Sequence, residues 1–188
     1  MKNGRSQLFH CTMKKPIKLI GFLRARKNES FKWRFSDKSI MAIGLPPDFK
    51  EFLTLLHTNH VEYLLIGGYA VGYHGYPRAT NDLDIWIALN PENAIKMTKV
   101  IKDFGFDTSD LSSELFMQKG RIVRMGLPPI RIEVLLEISG VQFNQCYEER
   151  IDDVIDDIPV KLINLKHLKT NKRASGRYKD LDDLEHLP

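Results

Sequence analysis

Two aspartates, Asp82 and Asp84, are separated by one leucine inside an apolar run that reads DLDIWI. The run predicts a β-strand, in which residues i and i+2 point to the same face, about 6.6 Å apart along the chain. Two carboxylates on one face can share hard cations such as Mg²⁺. The spacing therefore predicts a metal site at this strand.

A Gly-Gly pair precedes the two aspartates. Gly67 and Gly68 follow an apolar stretch, residues 63–66, that predicts a short buried strand, and they open a short helix that ends near Gly75. Glycine allows a tight turn and a close approach of the backbone, and a helix N-terminus offers N–H groups to an anion. A phosphate cradle beside paired carboxylates is what metal-assisted phosphoryl or nucleotidyl transfer requires.

A third carboxylate is expected from a neighbouring strand. Glu133 lies in the middle of the apolar run 130–136, where a carboxylate is costly unless it is paired or bound to a metal. We favour Glu133 as a metal ligand. The alternative is an ion pair with Arg131, Arg78 or Arg124.

The same three letters occur again as Asp180-Leu181-Asp182, in a segment that predicts a helix. Positions i and i+2 of a helix diverge by about 200°, so these two carboxylates would not converge on one metal ion. We therefore predict solvated helix-face charges there, and surface charges at the aspartates of residues 152–157. The structural context selects Asp82 and Asp84.

The remaining pattern predicts the elements that must hold these residues. A helix begins near Pro46 and ends near Asn59. Further helices are predicted over residues 91–104, 112–119, 143–150, 164–172 and 177–187, and further strands over residues 82–88, 121–125 and 160–163. In the helix 91–104, the residues predicted to face inward are Ile95, Val100, Ile101 and Phe104. The order predicts a mixed α/β or α+β fold: a small mixed sheet with helices on one side and a helical C-terminal segment.

Charge divides the chain into two parts. Residues 1–40 hold 11 Lys and Arg against 2 Asp and Glu, whereas residues 41–188 hold 17 against 22. The basic leader, 1–40, is expected to be a disordered tail or an upstream extension of a chain that starts naturally at Met41. A transit peptide and a basic arm that binds RNA stay open as alternatives. Residues 41–188 are expected to form one acidic domain.

Composition excludes several classes of protein. The 188 residues include only two cysteines, which excludes a disulfide framework and a four-cysteine zinc site. No stretch approaches about 20 apolar residues, so a cytoplasmic protein without a membrane partner is expected. The P-loop, dinucleotide-binding and nucleophile-elbow motifs are all absent from the sequence.

The segment that runs from Gly67-Gly68 through Arg78-Ala79-Thr80 to Asp82-Leu83-Asp84-Ile85 resembles the signature of the DNA polymerase beta-like nucleotidyltransferase superfamily. The run GGYAVGYHGYPRAT-x-DLDIWI is more closely similar to small bacterial minimal nucleotidyltransferases, relatives of the AbiE-type toxin enzymes. The resemblance extends from about Leu45 to the C-terminus. It includes the basic stretch around Lys172-Arg173 and Arg177-Tyr178-Lys179-Asp180-Leu181.

The resemblance implies a nucleotidyltransferase fold and a Mg²⁺-dependent transfer of a nucleoside monophosphate from an NTP to an acceptor. The acceptor would be RNA such as tRNA, a protein or a small molecule, and a toxin–antitoxin role with an antitoxin or operon partner is a further expectation. Asp82, Asp84 and Glu133 would be the catalytic carboxylates that ligate two Mg²⁺ ions. The nucleotide-binding residues would be Gly67, Gly68, Arg78, Thr80, Lys172 and Arg177.

Two residues depart from the usual pattern of the superfamily. Tyr69 stands where serine usually follows the glycine pair, and Glu133 stands where the third carboxylate is usually aspartate. The first departure removes a hydroxyl contact with phosphate, and the second lengthens a side chain by one methylene group. Both favour the alternative function, a catalytically weak nucleotide-binding or partner-binding module on the same fold.

Overall fold

The computed structural model describes residues 44–127 and 130–188. The expectations for the basic leader, residues 1–40, lie outside the described residues and stay predictions. Among the described residues, no helix combines the length and the apolar character that crossing a membrane requires.

Helices and strands alternate along most of the described chain. The helices are α1 (Pro47–Thr58), α2 (Gly67–Tyr73), α3 (Pro91–Asp103), α4 (Phe143–Glu148), α5 (Leu165–Ser175) and α6 (Tyr178–His186), with a short 3₁₀ helix at Ser113–Met117. The strands are β1 (Tyr63–Leu65), β2 (Asp82–Ile87), β3 (Ile122–Met125), β4 (Arg131–Leu135), β5 (Ile151–Ile155) and β6 (Ile158–Leu162). The predicted elements are confirmed to within a few residues, except that β5 was not predicted.

The six strands form one mixed sheet in the order β3-β4-β2-β1-β6-β5. The pairs β2–β4 and β1–β6 are parallel, and the other neighbours are antiparallel. The mixed α/β class is therefore confirmed. Strand β2, which carries Asp82 and Asp84, lies inside the sheet between β1 and β4, so its backbone is fixed on both sides.

Strand β5 was missed because its sequence, IDDVI, combines two adjacent charges with a solvent-facing edge. It forms a hairpin with β6, and the turn is made by Asp156 and Asp157, whose φ angles are 53° and 65°. Aspartate tolerates this left-handed region better than most residues. Asp156 is exposed, as predicted for a surface charge, and its carboxylate lies 2.7 Å from Lys50 Nζ.

Helices cover both faces of the sheet, so the prediction of helices on one side is wrong. Alternate residues of a strand point to opposite faces, and all three residues of β1 are buried. Tyr63 and Leu65 pack in a larger apolar cluster with residues of α1 and α3, such as Phe52. Leu64 packs in a smaller cluster on the other face, with Leu168 of α5.

The predicted inward face of helix α3 is wrong at one residue, Ile95. Asn90 caps the N-terminus of this helix, and its Oδ1 accepts a hydrogen bond of 2.8 Å from the backbone N–H of Asn93. The buried face of α3 is formed by Asn93, Ala94, Met97, Val100 and Ile101. Ile95 was predicted to face inward, but it is 63% exposed because it lies about 200° around the helix from Met97.

Candidate functional site

Asp82 and Asp84 lie on the same face of β2, at the N-terminal half of the strand. Leu83, between them, is fully buried on the opposite face. The parallel pairing of β2 with β4 places Asp84 directly beside Glu133 and Asp82 directly beside Arg131. The three carboxylates predicted from the sequence are therefore brought together on one face of two adjacent strands.

The shared position of these carboxylates disfavours their negative charge. Burial is the main reason that the pKa of Asp84 rises from 3.8 to about 6, and the charges of Glu133 and Asp82 raise it further. The positive charges of Lys172 and Arg177 act in the opposite direction. The nearby positive charges therefore do not fully offset the burial of Asp84 and the repulsion from its neighbouring carboxylates.

The glycine pair packs directly against the carboxylate site. Gly67 has a φ of +62°, and a Cβ atom at this position would lie 1.9 Å from Asp84 Oδ2. A Cβ atom at Gly68 would lie 2.4 Å from Thr80 Oγ1. Only glycine therefore lets the start of α2 approach β2 this closely, and Thr80 lies at the same junction.

Tyr69, the residue after the glycine pair, belongs to the core rather than to the site. It is 4% exposed and lies in the larger apolar cluster. Its ring meets that of Phe49 edge to face, with 5.8 Å between the ring centroids. Burial raises the pKa of its hydroxyl. Position 69 thus supports the packing of α2 on α1, and it does not supply the hydroxyl that serine would bring.

Two arginines hold two of the three carboxylates. Arg131 Nε and Nη2 donate to Asp82 Oδ1 and Oδ2 at 3.1 and 3.0 Å, and Nη2 also lies 3.0 Å from Glu133 Oε1. Arg124, the cross-strand partner of Glu133 on β3, donates from Nε to Glu133 Oε1 at 2.9 Å. The ion pairs weighed for Glu133 are therefore present with Arg131 and Arg124, and the Arg78 pair is not.

Arg131 was not among the predicted site residues. The signal that could have found it is its spacing: it stands two residues before Glu133 and therefore shares its face of the strand. Its contact with Asp82 depends on the register of β2 and β4, which the sequence alone did not provide.

The C-terminal helices bring a second group of charges, the ionic cluster, made of Arg78, Lys172, Arg177, Asp180 and Asp183. Lys172 Nζ lies 2.6 Å from Asp180 Oδ1 and 2.8 Å from Asp183 Oδ2. Arg78 donates to both carboxylate oxygens of Asp183, at 2.5 and 2.9 Å. Arg177 Nε donates to Asp180 Oδ2 at 2.6 Å. The cluster ties the loop before β2 to α5 and α6.

The prediction of a solvated Asp180 is wrong, since this side chain is 1% exposed. Asp180 and Asp183 are three residues apart and share the face of α6 that packs against α5, whereas Asp182 points away and is exposed, as predicted. Burial alone would raise the pKa of Asp180, but hydrogen bonds from Arg177 and Lys172 hold it well below its ordinary value. These ion pairs keep the carboxylate charged inside the protein.

The structure places Lys172 and Arg78 in ion pairs, and their predicted contacts with phosphate stay predictions. The ammonium group of Lys172 is buried between two carboxylates. Arg177 differs, because three quarters of its side chain is exposed. The hydrogen bond to Asp180 is the main reason that the pKa of Arg177 is raised, and the negative charges of Asp84 and Glu133 raise it further.

Carboxylate oxygens are the ligands that Mg²⁺ prefers, so the chemistry of Asp82, Asp84 and Glu133 suits that ion. The raised pKa of Asp84 also indicates a place for a cation. Across residues 44–127 and 130–188, however, no three Asp, Glu, His or Cys side chains are arranged so that they could hold a metal ion. The chemistry of the three carboxylates suits the ion, but their arrangement does not yet form a metal site, because arginines hold Asp82 and Glu133.

No model of a known protein family matches the chain, and no curated protein is similar to it in sequence. Several solved structures match it, among them two that align with about three quarters of its length. A candidate nucleotidyltransferase from Thermotoga maritima is 14% identical, with a TM-score of 0.49, over 72% of this chain and 87% of that one. An antigenic nucleotidyltransferase-like protein from Paracoccidioides brasiliensis is 20% identical, with a TM-score of 0.43, over 76% of each chain. At these values, the function has to be argued from the site itself.

Proposed function

We propose that the protein is a Mg²⁺-dependent nucleotidyltransferase that moves a nucleoside monophosphate from an NTP to a hydroxyl group of an acceptor. The observation that carries the proposal is the contact between its two motifs: the backbone of Gly67 lies against the carboxylate of Asp84, which is itself the register partner of Glu133. The proposed backbone cradle for phosphate would thus lie beside the carboxylates that would hold the metal.

The reaction breaks the bond between the α-phosphorus and the bridging oxygen of the NTP, and it forms a new ester bond to the acceptor oxygen. Pyrophosphate leaves, and the acceptor hydroxyl loses its proton. Bound Mg²⁺ would supply charge neutralisation on the phosphates and a lower pKa for the attacking hydroxyl. Asp82, Asp84 and Glu133 would hold the ions, and the rate would come mainly from positioning and charge stabilisation.

The other predicted residues surround this centre. Gly67 and Gly68 would present backbone N–H groups to the triphosphate, and Thr80 lies beside Gly68. Arg177 is the exposed cation whose charge acts on Asp84, so it suits a phosphate of the nucleotide or of the acceptor. Lys172 and Arg78 would add positive field from the ionic cluster.

The acceptor is proposed as one of three classes: RNA such as tRNA, a protein hydroxyl, or a small molecule. A role in a toxin–antitoxin pair would add a protein partner. The experiment incubates purified protein with each of the four α-³²P-labelled NTPs, Mg²⁺, and total cellular RNA and protein, and then separates the products. Label on RNA or protein identifies a macromolecular acceptor, and label on a small product identifies the third class.

Matched variants decide whether the labelled product comes from this site. Asp84→Asn keeps the shape of the side chain and removes its charge, and it is expected to abolish transfer. Asp110→Asn makes the same change in an exposed loop residue and is expected to leave transfer unchanged. Equal transfer by the Asp84→Asn variant and the wild type would refute the site.

A second function, a nucleotide-binding or partner-binding module with little catalysis, has one observation in its favour. Arg131 and Arg124 already neutralise Asp82 and Glu133, so the face can persist without a metal ion. Such a module would transfer no label; its nucleotide-binding form would bind NTP in a separate binding assay, and its partner-binding form would not. Transfer of label thus separates the enzyme from the module, and NTP binding separates the two forms of the module.

A further inference from the structure

Arg131 occupies the place where a cation would meet the carboxylates. It is the first residue of β4, and its guanidinium group covers both carboxylate oxygens of Asp82 at 3.0 to 3.1 Å. The same Nη2 atom lies 3.0 Å from Glu133 Oε1. One side chain therefore bridges two of the three carboxylates that the proposed function assigns to the metal.

This bridge and a bound divalent cation exclude each other for two reasons. The guanidinium group uses both oxygens of Asp82 in a fork, the geometry that binds a carboxylate most firmly. A divalent ion on the same oxygens would also lie within a few ångströms of the guanidinium charge, and like charges repel at that distance. Arg131 must therefore leave Asp82 and Glu133 when the cation binds.

The proposed nucleotide site would offer a destination for the released guanidinium group. Arg131 stays anchored on the face of the sheet that carries Asp84 and Glu133, and a third of its side chain is exposed, so it has room to swing. A guanidinium group without a carboxylate partner binds phosphate in the same forked geometry. The backbone of Gly67 packs against Asp84, which lies on the same face of the sheet as Arg131, so a nucleotide at the proposed site would lie on the face that carries Arg131.

We propose that Arg131 changes partners in the working site: it holds Asp82 and Glu133 in the free protein and passes to the phosphates of the nucleotide when a divalent cation takes those carboxylates. The inference rests on the proposed function, since it assumes that the carboxylates bind the ion. It adds a nucleotide-binding residue to the site and makes the binding of metal and nucleotide mutually dependent.

The first arm of the test uses Mn²⁺ alone, with free Mn²⁺ measured by electron paramagnetic resonance in the absence of nucleotide. Arg131→Gln is expected to bind Mn²⁺ about tenfold more tightly than the wild type, because the competing hydrogen bonds are lost. Arg131→Lys keeps the charge but cannot form the fork, and it is expected to fall between the two. Arg150→Gln removes an equal charge from a surface pair with Asp152 and is expected to change nothing.

The second arm measures the affinity for a non-hydrolysable NTP analogue at saturating Mn²⁺. Here Arg131→Gln is expected to bind about tenfold more weakly than the wild type, since a charged contact to phosphate is missing. The opposite signs of the two effects distinguish a change of partner from a general loss of structure, which would weaken both.

The outcomes separate this inference from the proposed function. Mn²⁺ binding that is absent from both the wild type and Arg131→Gln, or that survives Asp84→Asn, would overturn the metal site and with it both proposals. Binding through Asp84 that is equal in the wild type and Arg131→Gln would overturn the partner change alone. Tighter Mn²⁺ binding with unchanged nucleotide affinity would overturn the passage of Arg131 to phosphate.

Discussion

Asp84 on β2 and Glu133 on β4 are register partners in adjacent parallel strands, so two carboxylates leave the same face of the sheet side by side. Such a pair is unfavourable unless a cation accompanies it. Arg124 and Arg131 contact Glu133, whereas Asp84 is influenced by Lys172 and Arg177 only through their fields. The charge of Asp84 is therefore unfavourable in the folded protein without a cation.

Asp84→Asn is expected to stabilise the metal-free protein at neutral pH. The pKa of Asp84 is raised from 3.8 to about 6 in the folded state, so ionising it costs folding stability as pH rises through that interval. Each pKa unit corresponds to about 1.4 kcal/mol, which gives an upper limit of about 3 kcal/mol above pH 6. Below about pH 4 the carboxyl is protonated in both states, and the gain should vanish.

Denaturant unfolding in EDTA between pH 4 and 7.5 would measure this gain. The free energy of unfolding of the variant minus that of the wild type should grow as pH rises from about 4 to 6 and then level off. A difference that is independent of pH would show that Asp84 is not under electrostatic strain in the folded protein.

Gly67→Ala is expected to destabilise the protein through two separate effects. An alanine at φ +62° costs about 1 kcal/mol, and its Cβ atom would also collide with the carboxylate of Asp84. Gly176→Ala is the matched control, because Gly176 has a φ of +64° and its nearest neighbour to a Cβ atom lies 3.8 Å away. Gly67→Ala should lose about 1 to 3 kcal/mol more than Gly176→Ala. Equal losses would mean that Asp84 moves aside without cost.

Lys172→Met is expected to destabilise the protein by about 3 kcal/mol or more, because it leaves part of the charge of two buried carboxylates uncompensated. Lys166 lies on the same helix, but its side chain is 75% exposed and its nearest carboxylate is 3.8 Å away. Lys166→Met should therefore change the free energy of unfolding by no more than about 0.5 kcal/mol. Thermal or denaturant unfolding of the two variants measures the contrast. Similar small losses in both would show that the ionic cluster contributes little to stability.

Tyr69→Phe is expected to keep both stability and nucleotidyl transfer, since the ring packs in the core beside Phe49. Tyr69→Ser restores the residue that is usual after the glycine pair in the superfamily that the sequence resembles. It is nevertheless expected to cost about 3 to 5 kcal/mol, because it empties a buried aromatic site. Unfolding and transfer assays on both variants test this assignment. A large loss of transfer in a stable Tyr69→Phe protein would place the hydroxyl in the reaction.

The alternation of side chains along a strand explains how much of the site the sequence could predict. Alternation along β2 was enough to place Asp82 and Asp84 on one face, the apolar surroundings of Glu133 indicated a third carboxylate, and the glycines indicated where the backbone comes close. These patterns could not predict which charged side chains form ion pairs with one another. The contact between Arg131 and Asp82 depends on the register of β2 and β4, and 43 residues, 88–130, separate these two strands in the sequence. Asp180 is buried because Lys172 of another helix neutralises it, and nothing local to α6 indicates that partner.

The measurement that tests the central claim most directly compares two labelled forms of one NTP. With Mg²⁺ and the acceptor fraction that takes up label, wild-type protein is expected to transfer ³²P from the α-position and none from the γ-position, with pyrophosphate as the other product. Asp84→Asn is expected to transfer neither. Transfer of the γ-label would show phosphoryl transfer instead, and transfer of the α-label by Asp84→Asn would show that the reaction does not depend on this site.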